Sequence, residues 1–116
     1  MSDPLRELRE ALRAFAAERD WDQFHSPRNL ATALAVEAAE LLEPFQWLTE
    51  EQSRELPPDT RAAVAEEMAD VLLYLVRRAD KLDVDLAAAA RAKIAKNAEK
   101  YPVDKARGSS RKYDAL

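Results

Sequence analysis

The 116 residues weigh 13.1 kDa, a length for one domain with one modest core that a partner subunit would help to complete. No Cys, one His and one Gly exclude disulfides, thiol catalysis, thiolate metal sites and a multi-histidine centre, and argue against a turn-dense β-fold. The net charge of −4 is divided, since residues 91–116 hold eight Lys or Arg against three acids and the first 90 residues carry −9.

Ser2-Asp3-Pro4 reads as a helix start with Pro at the first helical position. Leu5, Leu8, Leu12, Phe15 and Ala16 then recur at helical spacing as far as Arg19. Residues 20–25 break that period and read as a loop carrying Trp21 and Phe24. Ser26-Pro27 starts a second helix through the apolar stretch 30–42, which Pro44 ends or kinks. Thr49 caps a short helix that Pro57-Pro58 stops. A long helix over 61–82, capped by Asp59 or Thr60, carries a stripe of Val64, Met68, Val71, Leu72, Leu75, Val76 and Ala79. Asp85 caps a helix over 86–100, which Tyr101-Pro102 ends. Nothing alternates like a strand, so the expected fold is all-α, four main helices arranged like a bundle. Residues 1–102 form the expected domain and 103–116 an extended basic tail. No apolar run approaches a bilayer span and residues 1–20 are too charged for a signal peptide, so a soluble, cytoplasmic protein is expected.

An acidic body with a basic end is a poor footprint for duplex nucleic acid and suits an anionic small ligand that meets cations. Acids three apart share a helix face, but 22 acids in this length produce several such pairs by chance. Their neighbours separate them. Glu7/Glu10 interleaves with Arg6, Arg9 and Arg13, and Asp80/Asp83 sits beside Arg78 and Lys81. Glu37/Glu40 has Ala33, Leu34 and Leu41 around it, with no basic residue between Arg28 and Arg54. Glu67 is flanked by Val64 and Val71, and Asp70 faces Leu73 and Tyr74. Carboxylates on apolar faces either point to solvent, hold a proton, pair with a cation or bind a metal. An all-oxygen set selects Mg²⁺ or Mn²⁺ over zinc or iron, and Mg²⁺ commonly completes its shell with substrate phosphates. Lys93, Asn97 and Lys100 fall on one helix face, either as phosphate contacts or as a plain basic surface. Trp21, Phe24 and Trp47 lie just outside main helices, placed either to stack on a nucleobase or to plug the core.

Glu37-Ala38-Ala39-Glu40 followed by Glu67-Met68-Ala69-Asp70 resembles the EXXE…EXXD signature of the MazG-like all-α nucleotide pyrophosphohydrolases. The segments Phe15 to Trp21, Phe24-His25, Pro27 to Leu30, Phe45 to Trp47, Asp70 to Leu75, Tyr101-Pro102 and Lys112-Tyr113 look like the branch that acts on dCTP. The resemblance implies Mg²⁺-dependent hydrolysis (Mn²⁺ as a substitute) of a deoxynucleoside triphosphate to monophosphate and pyrophosphate, a house-cleaning of the nucleotide pool. It implies Glu37, Glu40, Glu67 and Asp70 as metal ligands; of these we expect Glu40 and Glu37 to be the catalytic carboxylates, Glu40 taking the proton of the attacking water. It also implies Trp21, His25, Trp47 and Tyr74 at the base, and Lys93, Asn97 and Lys100 at the phosphates. A homo-oligomer, dimer or tetramer, is implied, its pockets completed by a second subunit. Leu12 departs from the His of the animal enzymes, and Pro44 follows the first acidic pair. The competing readings are a non-catalytic helical oligomerisation or regulatory module and a nucleotide sensor that binds without hydrolysis.

Overall fold

In a computed structural model, residues 3–116 are described, and Ser2 of the proposed first cap lies outside them. The described residues are helical or turn-like without a strand, so the all-α expectation holds. The chain forms two compact units, one reaching to Val84 and one over Asp85–Leu116.

The first unit contains α1 (Pro4–Glu18), α2 (Pro27–Leu42), α3 (Glu50–Arg54) and α4 (Pro58–Lys81). Local chemistry explains most of the starts. The side chains of Asp3, Ser26 and Thr49 accept from the backbone N–H groups of Leu5, Asn29 and Gln52, and Gln52 returns the bond to Thr49. α4 begins at Pro58, three residues before the predicted start, because Pro58 needs no N–H partner in the first turn and has helical φ already. Pro44 ends α2 as expected, and the chain tightens there into a 3₁₀ turn over Glu43–Phe45.

Two ends lack the usual glycine. Asp20 (φ 53°) and Asp83 (φ 55°) take the left-handed position after α1 and α4. The N–H groups of Trp21 and Val84 then donate back to the carbonyls of Ala16 and Ala79 at 2.9 and 2.8 Å. The first of these turns swings Trp21 back toward the helices.

α4 is the spine of this unit, with α2 packed against it most extensively and α1 beside it. Ala16 of α1, Leu30 of α2, and Val64, Val76 and Ala79 of α4 form the buried apolar core. Burying a side chain the size of Leu30 contributes about 2 kcal/mol relative to leaving it exposed. Met68 and Leu72, predicted in the same stripe, are exposed, because two helices cover only part of the circumference of α4.

The second unit contains α5 (Leu86–Lys100), capped by Asp85 through the N–H of Ala88, and α6 (Val103–Ala106). The stretch expected as an extended tail carries the single turn of α6 and a 3₁₀ turn over Tyr113–Ala115. Tyr113 packs edge-on to Tyr101 with centroids 6.2 Å apart, and Lys100 Nζ lies 5.0 Å from its ring centre. Those two contacts hold the end of the chain to the end of α5.

Candidate active site

Packing of α2 on α4 brings the two acidic motifs together. Ligand oxygens of Glu37, Glu67 and Asp70 all lie within 4.8 Å of one another. Glu40, one turn from Glu37 on α2, falls outside that triplet but stands close enough to act on Glu37. Glu37 and Glu67 are half-buried and Asp70 is exposed. None of the three enters an ion pair among the described residues.

The electrostatics are those of anions held too close. The Glu37 carboxyl is pushed up to about 7, first by the adjacent Glu67 carboxyl, then by burial, then by Glu40. Glu37 Oε2 and Glu67 Oε2 are buried and make no hydrogen bond. A buried acceptor without a donor costs about 1–3 kcal/mol in general, so such a pair needs a proton or a cation. The set of hard oxygen donors with orphaned, buried atoms fits a divalent metal ion.

Next to the acids is a cavity of about 450 Å³, mostly apolar, between α1, the loop after it and α4. Leu12, Phe15, Trp21, His25, Tyr74 and Arg77 line it, and Asp70 belongs both to its wall and to the acidic triplet. Trp21 stands edge-on to Phe15 with centroids 5.7 Å apart and edge-on to His25 at 6.4 Å. Leu12 therefore presents an apolar isobutyl group to the cavity.

The sequence-predicted residues thus divide. Glu37, Glu67 and Asp70 converge; Trp21, His25 and Tyr74 share the adjoining cavity. Trp47 is 87% exposed and does not line it. Lys93, Asn97 and Lys100 belong to the second unit and are exposed. Sequence reasoning missed Arg77, which is buried at 5% exposure and lines the cavity. An Arg directly after Val76 in an apolar helix stripe was the available signal.

Residues 32–116 match the MazG-like family. The chain is 49% identical to dCTP pyrophosphatase 1 of Mus musculus over 114 residues, covering 97% of this chain and 67% of the mouse protein. It is 48% identical to dCTP pyrophosphatase 1 of Homo sapiens, with the same coverage. A solved pyrophosphatase from Archaeoglobus fulgidus DSM 4304 superposes with a TM-score of 0.82 and 38% identity, covering 88% of this chain and 95% of that one. This chain belongs to the MazG-like family.

Proposed function

We propose that this protein is a Mg²⁺-dependent pyrophosphohydrolase that cleaves dCTP, or a dCTP modified on its base, to the monophosphate and pyrophosphate. One observation carries the reading: Asp70 is common to the acidic triplet and to the aromatic-lined cavity. A nucleotide spans those two environments, with an anionic triphosphate at one end and a flat base at the other. The relatives named dCTP pyrophosphatase 1 support the same substrate.

Glu37, Glu40, Glu67 and Asp70 would hold the Mg²⁺, with Mn²⁺ as a substitute. When bound, such an ion neutralises triphosphate charge and polarises the phosphoryl oxygens. Glu40, beside Glu37, accepts the proton of a water that attacks the α-phosphorus, and pyrophosphate leaves in line. Trp21 and Tyr74 flank the base in the cavity, while the Phe15–Trp21 contact keeps the indole from turning away. The walls exclude water from the base and fix the sugar end relative to Asp70, a positioning role that lowers the entropic barrier. For Lys93, Asn97 and Lys100, exposed on the second unit, a phosphate-binding role rests on the resemblance alone.

Val36, Leu42, Trp47 and Met68 leave large apolar surface exposed on one chain, which supports assembly into a dimer or tetramer. Trp47 would then reach the base only within that assembly. No described helix is long and apolar enough to cross a membrane, and a cytoplasmic setting fits nucleotide-pool cleaning. The test is a panel of the four deoxynucleoside triphosphates, their ribo counterparts and 5-modified cytosines, read as pyrophosphate release with Mg²⁺. dCTP or a modified dCTP leads under this proposal; release of orthophosphate alone rules out attack at the α-phosphorus.

A further inference from the structure

Arg77 sits near the C-terminal end of α4 with 5% exposure, an unusual degree of burial for a charge that belongs to no metal or phosphate site. Its terminal nitrogens are occupied by carboxylates. Nη2 donates to Asp22 Oδ1 at 2.6 Å, and Nη1 reaches Asp80 Oδ2 at 3.5 Å. The remaining donor, Nε, points to His25 and donates to Nδ1 at 3.1 Å. Guanidinium nitrogens donate and never accept, so His25 Nδ1 must present a lone pair. A neutral imidazole with Nδ1 accepting carries its proton on Nε2. His25 Nε2 makes no hydrogen bond among the described residues, and the ring lines the cavity.

The surrounding charges act in the same sense. Three cations (Arg13 of α1, Arg77 and Lys81 of α4) meet two carboxylates, Asp22 of the loop and Asp80 of α4. Burial, then Arg77, then Lys81 hold His25 below its ordinary value, against the opposing pull of Asp22. The imidazole is therefore neutral at pH 7 and its one proton has a defined place.

We propose that Arg77 is a positioning residue that locks His25 in the Nε2–H tautomer, so that the cavity presents a fixed donor and selects a nucleobase with an acceptor facing it. This rests on the base of the nucleotide entering the cavity. A cytosine offers a ring nitrogen and a carbonyl as acceptors, whereas the Nδ1–H tautomer would set a lone pair against them.

The chain has one histidine, so its ring nitrogens can be read without assignment ambiguity. A long-range ¹H–¹⁵N correlation spectrum of the ¹⁵N-labelled protein at pH 7 is expected to show protonated Nε2 and unprotonated Nδ1. In Arg77→Met the spectrum should relax toward a mixture of tautomers. The KM for dCTP should rise about threefold to tenfold, with kcat affected less, the loss expected for one neutral hydrogen bond. Wild-type protein showing Nδ1–H or a tautomer mixture overturns the proposal, and that spectrum needs no folded variant. A folded Arg77→Met protein with wild-type tautomer, or with a mixed tautomer and unchanged KM, overturns it as well. A locked tautomer in a protein that cleaves no nucleotide counts against the pyrophosphohydrolase reading and not against the lock, so the two failures are separable.

Discussion

Arg13 of α1 grips Asp80 of α4 with two parallel bonds, Nη2 to Oδ1 at 2.5 Å and Nε to Oδ2 at 2.8 Å. The Asp80 side chain is only 10% exposed and also receives Arg77, so it anchors α1 to α4 beside the cavity. Asp80→Asn should lower stability by about 1 kcal/mol, because charge-assisted bonds to a half-exposed Arg13 are lost and Arg77 keeps a single carboxylate. The hydrogen bond from Arg13 holds the Asp80 carboxyl below its usual value. Its stabilisation is thus complete above the unfolded value near 3.8 and fades as pH falls through the folded one. Urea titrations at pH 7 and pH 3 check this: the gap between wild type and variant should shrink at the lower pH.

Glu37 has the opposite sign. The folded chain keeps a proton on it up to about pH 7, whereas the unfolded chain releases that proton near 4.5. Stability therefore falls as pH rises between those values. In EDTA, melting curves of wild type and Glu37→Gln should diverge from pH 5 to pH 8, with the variant the more stable at pH 8. Mg²⁺ should raise the wild-type Tm, less so below pH 7 because metal must displace the proton. Glu37→Gln and Asp70→Asn should abolish both that rise and turnover while helicity persists. Parallel melting curves across pH would count against the crowded-acid description.

Trp21 is 44% exposed yet lines the cavity, a position suited to a ligand more than to core filling. Trp21→Ala should raise the KM for dCTP about tenfold to hundredfold, the range expected from losing a base-stacking partner. Far-UV circular dichroism should stay unchanged. Equal kinetics in the variant would remove the indole from the base site.

Asp83 holds a left-handed backbone conformation that glycine adopts without strain. Asp83→Gly should raise the unfolding free energy by about 0.5–1 kcal/mol in a denaturant titration. Lower stability would show that the Asp83 side chain contributes more than its backbone costs.

Much of this molecule was legible before folding was considered, because helix punctuation is local. Asp3, Ser26, Thr49 and Asp85 each cap a backbone N–H two or three residues away, so their roles can be read from neighbours in the chain. The EXXE and EXXD motifs were equally readable, since residues three apart share a face on any helix. Other features were not local. Met68 and Leu72 look like core from their spacing and are exposed, because only packing decides which side of α4 is covered. Arg77 and His25 are 52 positions apart, and Glu37 and Glu67 are 30 apart. Their meeting depends on how α1, α2 and the loop at 20–25 settle on α4. The sequence alone therefore determined the helices, their ends and the chemical inventory of acids and aromatics. Tertiary structure decided which acids crowd one another, which aromatics line a cavity, and which nitrogen of the single histidine bears its proton. Those outcomes depend on distances between separate helices, and no spacing along a single helix encodes such a distance.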